Sequence, residues 1–493
     1  MDTGCSFTTA GAYRWAVTTF VFSLGLLVVG CRNTAIESLT DAPQPTPASL
    51  YANAIGSARF ERSAVKVEQG YTVESGNLYN RDGETGSLVV VRSPDGAVVG
   101  IINEPDKHGL LKVDPQGRQI FIAEPAESLL ENDTVKPQED IGRQVTISSE
   151  DYYIDMLFAY SGYALNQMDV DPIAHALAQV EMVNLSLRNS RIKEVSLRLG
   201  VVNVFDVTHN TSVTGLANWQ KLLSPYRDLY KTDVNAAISG GGDQAQGRAY
   251  FRGYTSVSAW FASSTFAHEI GHNVGGEHCE EANGSDYNYG YNNGRTKTNL
   301  CTGSRSFYYS TPVVNDAYGL PLGNTRTANM ARVWRESAAR LTGYKPELPG
   351  LRMFVVSGPH NQTSTYIRIP GIERLYQGGI VALSADVGPT ELMPGTDEKF
   401  TMLRVKLLNA AGHEAVVKLR GLRVQEEGGW REHMNSKRFL GALGPSQGLE
   451  IQYDVRDNVE LPAGYYNGLL QLEARRANSD WKTPVNIIVS VKK

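Results

Sequence analysis

Between residues 60 and 124 the apolar positions fall in short runs separated by turn-forming residues. Leu88 to Val91 and Val98 to Ile102 flank Pro94-Asp95-Gly96, a sequence that closes a β-hairpin because proline and glycine supply the backbone angles of a tight turn. QGRQIFIAEP, residues 116 to 125, gives a further strand, whereas 125 to 148 are polar and acidic without periodicity and read as a linker. The pattern then changes. A buried strand at 152 to 159 leads into Asp171-Pro172, an N-cap followed by a first-turn proline, and Ile173, Leu177, Val180 and Leu187 recur at helical spacing up to Asn189. Strands at 195 to 205, 233 to 239 and 256 to 260 alternate with helices at 215 to 223, from about Ser264, and at 328 to 344, the last stopped by Gly343 and Pro346. Such alternation predicts an α/β domain. Beyond Pro349 only strand-length runs with Gly, Pro and Asn between them remain.

A chain of 493 residues suggests roughly three domains. With 41% hydrophobic and 20% charged residues each can bury an ordinary core, which excludes a disordered or polytopic membrane chain. A net charge of -5 leaves no cationic excess for a phosphate backbone, so nucleic acid is not an expected partner. The expectation is a multidomain chain: an α/β core flanked by an N-terminal β-rich domain (60–148 with its linker) and a C-terminal all-β sandwich of immunoglobulin type (350–493).

The N-terminus reads as an export signal. Arg14 precedes an apolar run from Trp15 to Val29, too short for a membrane span of about 20 residues. The run ends Val28-Val29-Gly30-Cys31 and gives way to a Thr/Pro/Ala-rich stretch. This resembles the lipobox of bacterial lipoproteins. The resemblance implies removal of 1–30, a lipid on Cys31, a tether over 31–59, and anchoring to a bacterial membrane, with the outer membrane or cell surface expected. A soluble secretory signal and an uncleaved anchor are the competing readings. In an exported chain the two remaining cysteines, Cys279 and Cys301, are expected to pair.

From His268 to His278 the chain reads HEIGHNVGGEH. On a helix His268 and His272 lie one turn apart on one face, while Phe266, Ile270 and Val274 form the opposite, core-facing stripe. Gly275 can take a positive φ and turn the chain so that His278 returns as a third nitrogen ligand. Three protein ligands leave a fourth position for water, which suits a catalytic zinc, one per chain, and Glu269 stands beside the first ligand as a base. The other histidines lack a partner at ligand spacing and are expected to be surface or packing residues.

HExxHxxGxxH is the signature of metzincin metallopeptidases. The chain resembles their bacterial reprolysin-like branch through HEIGHN, Arg295-Thr296, Cys301, the FYYSTP run and GLPLGNTRTANMARV, over about residues 150 to 345. The resemblance implies a metzincin-like catalytic domain at 149–346 preceded by a propeptide-like segment. It implies zinc on His268, His272 and His278, Glu269 as general base, and hydrolysis of internal peptide bonds of a protein or glycoprotein. Two departures stand out: Thr298 occupies the place of the methionine that this family keeps beneath the ligands, and residues 32 to 149 hold no cysteine to block a zinc. Any latency must use another group, or there is none. The alternative function is a surface-binding lipoprotein or adhesin with a degenerate peptidase domain.

Overall fold

The computed structural model describes residues 50–125, 133–136 and 151–356 with short interior gaps, and parts of 364–493. The expected signal peptide, Cys31 and most of the expected linker lie outside the described residues. After a one-turn helix α1 (Ala52–Ile55), six strands run as a simple antiparallel meander: β1 (Arg59–Glu68), β2 (Tyr71–Asn80), β3 (Gly83–Arg92), β4 (Val98–Glu104), β5 (Lys107–Val113) and β6 (Gln119–Ala123). The Pro94-Asp95-Gly96 turn joins β3 to β4, with Gly96 at φ 92° and its N–H donating to Ser93 O.

The second sheet is built from β7 (Thr134–Val135), β8 (Tyr152–Ser161), β9 (Val195–Phe205), β10 (Val234–Ser239), β11 (Gly247–Tyr250) and β12 (Thr255–Ala259), in the order β7-β11-β12-β10-β8-β9. β12, β10, β8 and β9 are parallel, and β11 runs antiparallel to β12. Helix α2 (Gly162–Met168) follows β8, and α3 (Pro172–Asn189) and α4 (Val213–Tyr230) are the crossovers. Asp171 caps α3, its carboxylate accepting from Ile173 N and Ala174 N. Fifteen residues of α3 are buried, from Ile173 to Leu187. An ordinary surface helix buries one stripe, but this one lies between the parallel sheet and the meander. Val73, Val89, Val91, Val99 and Ile101 of the meander share one hydrophobic core with α3 and β8. Polar pairs pin the same contact: Tyr71 Oη and Ser93 Oγ donate to Asp171, and Ser75 Oγ and Arg188 donate to Glu181.

The chain continues through α5 (Thr265–Val274), a small hairpin of β13 (Thr311–Asn315) and β14 (Pro321–Leu322), and α6 (Met330–Thr342), capped by Asn329. Among the described residues eleven strands follow, from β15 (Leu351–Val356) to β24 (Tyr465–Arg476) and β25 (Lys482–Lys492). Their hydrogen bonds link them in one path with side branches, and ladders alone do not divide them into the two facing sheets of an immunoglobulin-type sandwich. This β-rich part docks on β9 through side chains: Asn467 Nδ2 donates to Val204 O, and Val204 N donates to Ser490 Oγ. The molecule is thus β-rich with few helices, and a layered α/β unit holds the histidine motif.

Candidate metal centre

Helix α5 carries the motif. Phe266, Ile270 and Val274 are fully buried on its core side, Phe266 edge-on to Phe158 of β8. Gly275 ends the helix at φ 118°, and Gly275 N and Gly276 N both donate back to Gly271 O. A left-handed residue at this place is nearly free for glycine and strained for others. The reversal brings His278 against the two helical histidines. His268 Nε2 stands 3.1 Å from His278 Nε2 and 3.0 Å from His272 Nε2.

The other ring nitrogens decide the protonation. His268 Nδ1 lies 2.7 Å from Asn299 O and His272 Nδ1 lies 2.8 Å from Gly276 O. A carbonyl oxygen only accepts, so each Nδ1 carries the proton and each Nε2 turns a lone pair to the common centre. Such lone pairs at 3 Å repel one another unless a cation or a proton stands between them. Burial reinforces this by holding His272 down to about 4, in the neutral form that binds metal.

A fourth group comes from the stretch read as linker. Asp133 places Oδ2 at 3.1 Å from His268 Nε2, and Oδ1 at 3.1 Å from His278 Nε2 and 3.4 Å from His272 Nε2. The four donor atoms lie within 4.8 Å of one another. Three imidazole nitrogens and a carboxylate fit zinc or a similar transition metal, and do not suit the oxygen-preferring Mg or Ca.

Asp133 is held there by the backbone. Thr134 and Val135 pair in parallel with Ala249 and Tyr250, and Ala249 N donates to Asp133 O. The segment therefore lies along the outer edge of β11, beside the histidines. This corrects the reading of residues 125 to 148 as linker at 133–135. The only local hint was an acidic residue followed by two β-branched ones in an otherwise unpatterned stretch.

Glu269 is 1% exposed and packs under β11. Gly247 is the reason it can: a Cβ there would fall 2.3 Å from Glu269 Oε1. Cys279 and Cys301 form a disulfide with Cα atoms 5.1 Å apart, tying the residue after His278 to the segment that supplies Asn299 O.

Thr298 is fully buried, and its hydroxyl accepts from Tyr291 N at 2.8 Å. Two further side chains lie against the helix. A Cβ on Gly271 would lie 3.0 Å from Leu300 Cδ2, and one on Gly276 would lie 2.2 Å from Leu300 Cδ1 and 2.7 Å from Met330 Cε. Leu300 and Met330 thus line the underside of α5 and its turn. Of the remaining histidines, His175 is buried and bonds Tyr160 Oη, a packing residue.

Residues 205–317 match a family described as Metallo-peptidase family M12B Reprolysin-like. That span is under half of the chain, and it contains the three histidines, Glu269 and the disulfide. The match supports a metallopeptidase. No curated protein matches. Among solved structures, metalloproteinase-II from Bacteroides fragilis is similar at 12% identity and TM-score 0.33, over 53% of this chain and 84% of that one. A chaperone–substrate complex is similar at 17% identity and TM-score 0.37, over 52% of this chain but 42% of that one. The CFA/I adhesin CfaE of enterotoxigenic E. coli is similar at 18% identity and TM-score 0.17, over 30% and 48%.

Proposed function

We propose that the chain is a zinc-dependent endopeptidase kept latent by its own Asp133. The observation that carries the reading is the convergence of the Nε2 atoms of His268, His272 and His278, two of them on the helix that also carries the buried Glu269. Those three nitrogens would hold one zinc, fixed in tautomer by Asn299 O and Gly276 O. A bound zinc supplies a Lewis acid for the scissile carbonyl and a more acidic water. Glu269 takes the proton of the attacking water and passes it to the leaving amine. The edge of β11 orients the substrate by adding it as an extended strand, the position that Thr134 and Val135 occupy in the latent chain. Asp133 fills the place that water needs, so the segment must lift before turnover.

Around this core we read the C-terminal strands as an immunoglobulin-type sandwich and the chain as an exported lipoprotein, anchored through Cys31 and acting on proteins or glycoproteins at the cell surface. No helix among the described residues is long and apolar enough to cross a membrane. The test is elemental analysis with casein hydrolysis. One zinc per chain is expected, lost in His272→Ala. Glu269→Gln should keep the metal and, added to the open Asp133→Ala chain, abolish hydrolysis. A metal-free parent chain, or an Asp133→Ala chain whose turnover is unchanged by adding Glu269→Gln, would overturn the reading.

A further inference from the structure

The first turn of α5 holds a second carboxylate from the N-terminal part of the chain. Glu124, just after β6 and 4% exposed, accepts from Ser264 N at 3.1 Å, Ser264 Oγ at 2.8 Å and Ser263 Oγ at 3.1 Å. Ser264, the N-cap residue, makes no side-chain cap of its own, so an acid from another part of the fold meets the helix's exposed donors. Both the donors and the positive end of the helix dipole favour an anion there. Pro125 O next to it accepts from Gln246 Nε2, and Asp133 O accepts from Ala249 N. Gln246 stands just before β11 and Ala249 within it, three residues on. Ser264 precedes His268 by four residues, about 6 Å of helix. The Glu124 seat is therefore in the same cleft, one residue or two along from the reacting centre.

A second observation points to a ligand at this place. A cavity of about 20 Å³, room for roughly one water, is lined by Ser264, Thr265, Asn299 and Asn103. Thr265 Oγ1, Asn299 Nδ2 and Asn103 Oδ1 are buried there without a hydrogen-bond partner among the described residues. Buried polar atoms cost about 1–3 kcal/mol each when unpaired, so the pocket is built for polar contents. Asn103 belongs to β4, and like Glu124 it comes from the N-terminal meander.

We propose that the Ser263–Ser264 end of α5 is a carboxylate-binding specificity subsite, filled by Glu124 in the latent chain and by a Glu or Asp side chain of the substrate in the open one. This rests on the peptidase reading given above. Asp133 and Glu124 then block the cleft as a pair, one at the metal ligands and one at the neighbouring subsite. Thr265 and Asn299 complete the pocket once Asn103 withdraws, and Ser263 and Ser264 determine the preference by donating to the acid.

Two measurements test it. In the full chain, Glu124→Ala leaves the donors without their acid, so propionate should raise its Tm and propionamide should not, while Glu124→Gln should show neither response. Equal effects of acid and amide on Glu124→Ala overturn the subsite whatever the enzyme does. In the full chain carrying Asp133→Ala and Glu124→Ala, matched peptides with Glu or Gln at each position flanking the cleaved bond should differ roughly tenfold or more in kcat/KM at one position. Adding Ser263→Ala and Ser264→Ala should bring that ratio to within about twofold. Cleavage of both peptides at equal rates overturns the substrate role alone. Propionate rescue with no cleavage of any peptide overturns the peptidase reading and the substrate role with it.

Discussion

Gly247 and Glu269 touch so closely that a methyl group on the glycine would sit 2.3 Å from the carboxylate oxygen and 2.8 Å from its carbon. The strand edge expected to hold the substrate and the expected base are thus positioned by the same contact. Gly247→Ala should push the Glu269 carboxylate aside. Kinetics of the opened enzyme should show kcat down by roughly ten- to a hundredfold with KM changed far less, because a displaced base affects the reaction more than binding. Tm should fall as well, because the same Cβ would lie 2.4 Å from Cγ2 of Thr265, a buried β-branched side chain with little room to turn aside. An unchanged kcat would mean that the carboxylate is not held by this contact.

Among the described residues, Asp133 is attached to the cleft by its carboxylate, by its carbonyl on Ala249 N and by the two-residue strand after it. Removing the carboxylate should therefore release the segment. The full chain with Asp133→Ala should hydrolyse casein at least roughly tenfold faster than the parent without prior processing. Asp133→Glu, longer by one methylene, should remain latent or nearly so. Equal rates for parent and Asp133→Ala would show that something else covers the cleft.

Elements decided by local physics were legible in the sequence. Asp171-Pro172 marks the start of α3 because capping and a first-turn proline act within four residues, and the structure begins that helix at Pro172. The apolar stripe of α5 follows from helical spacing, and Gly275 takes the left-handed turn that its position required. Helix α4 extends to Tyr230, past Pro225, where the sequence reading ended it near Leu223. One missing amide costs less than burying Tyr226 and Tyr230 returns. The four-residue β11 was missed because Gly-Arg-Ala-Tyr has no period to read, and its strand character comes from β12 alongside. Asp133 was missed for a deeper reason: it meets His268 across 135 positions of chain, and nothing near it in sequence signals that partner.

At Thr298 the structure shows a partner that the family likeness did not. The likeness set a threonine in place of a methionine beneath the ligands, which suggested that Thr298→Met would be tolerated or better. The structure instead gives the hydroxyl a fixed task, accepting from Tyr291 N in a site with no solvent access, and leaves the support of α5 to Leu300 and Met330. Thr298→Val should then cost about 1–3 kcal/mol by stranding that buried N–H. Thr298→Met should cost at least as much, since it also overfills the site by about 1–3 kcal/mol. Thr298→Ser keeps the acceptor and should be the mildest of the three. Urea denaturation of the set checks the order, and a Met variant as stable as the parent would return Thr298 to the floor.

The pH dependence of stability should be governed in part by Asp233, just before β10. This carboxyl is 3% exposed. Burial pushes it up to about 8, against the lowering effect of the Asp155 N–H, and the nearby Asp155 carboxylate adds to the rise. Asp155 itself is engaged by Arg198 at 3.0 Å and Arg352 at 3.0 Å, so those cations are committed to the neighbour. A carboxyl with a folded value above its unfolded one binds its proton more tightly in the folded chain. Its contribution is fully present below about 4 and is lost as pH rises toward 8. Stability should therefore decline from this group between about pH 4 and pH 8. Asp233→Asn, which keeps an oxygen for the Asp155 N–H and carries no charge, should flatten that decline and be more stable than the parent at pH 8 than at pH 5. Thermal melts of both chains across that range measure it, and parallel profiles would show that Asp233 keeps its charge in the folded protein.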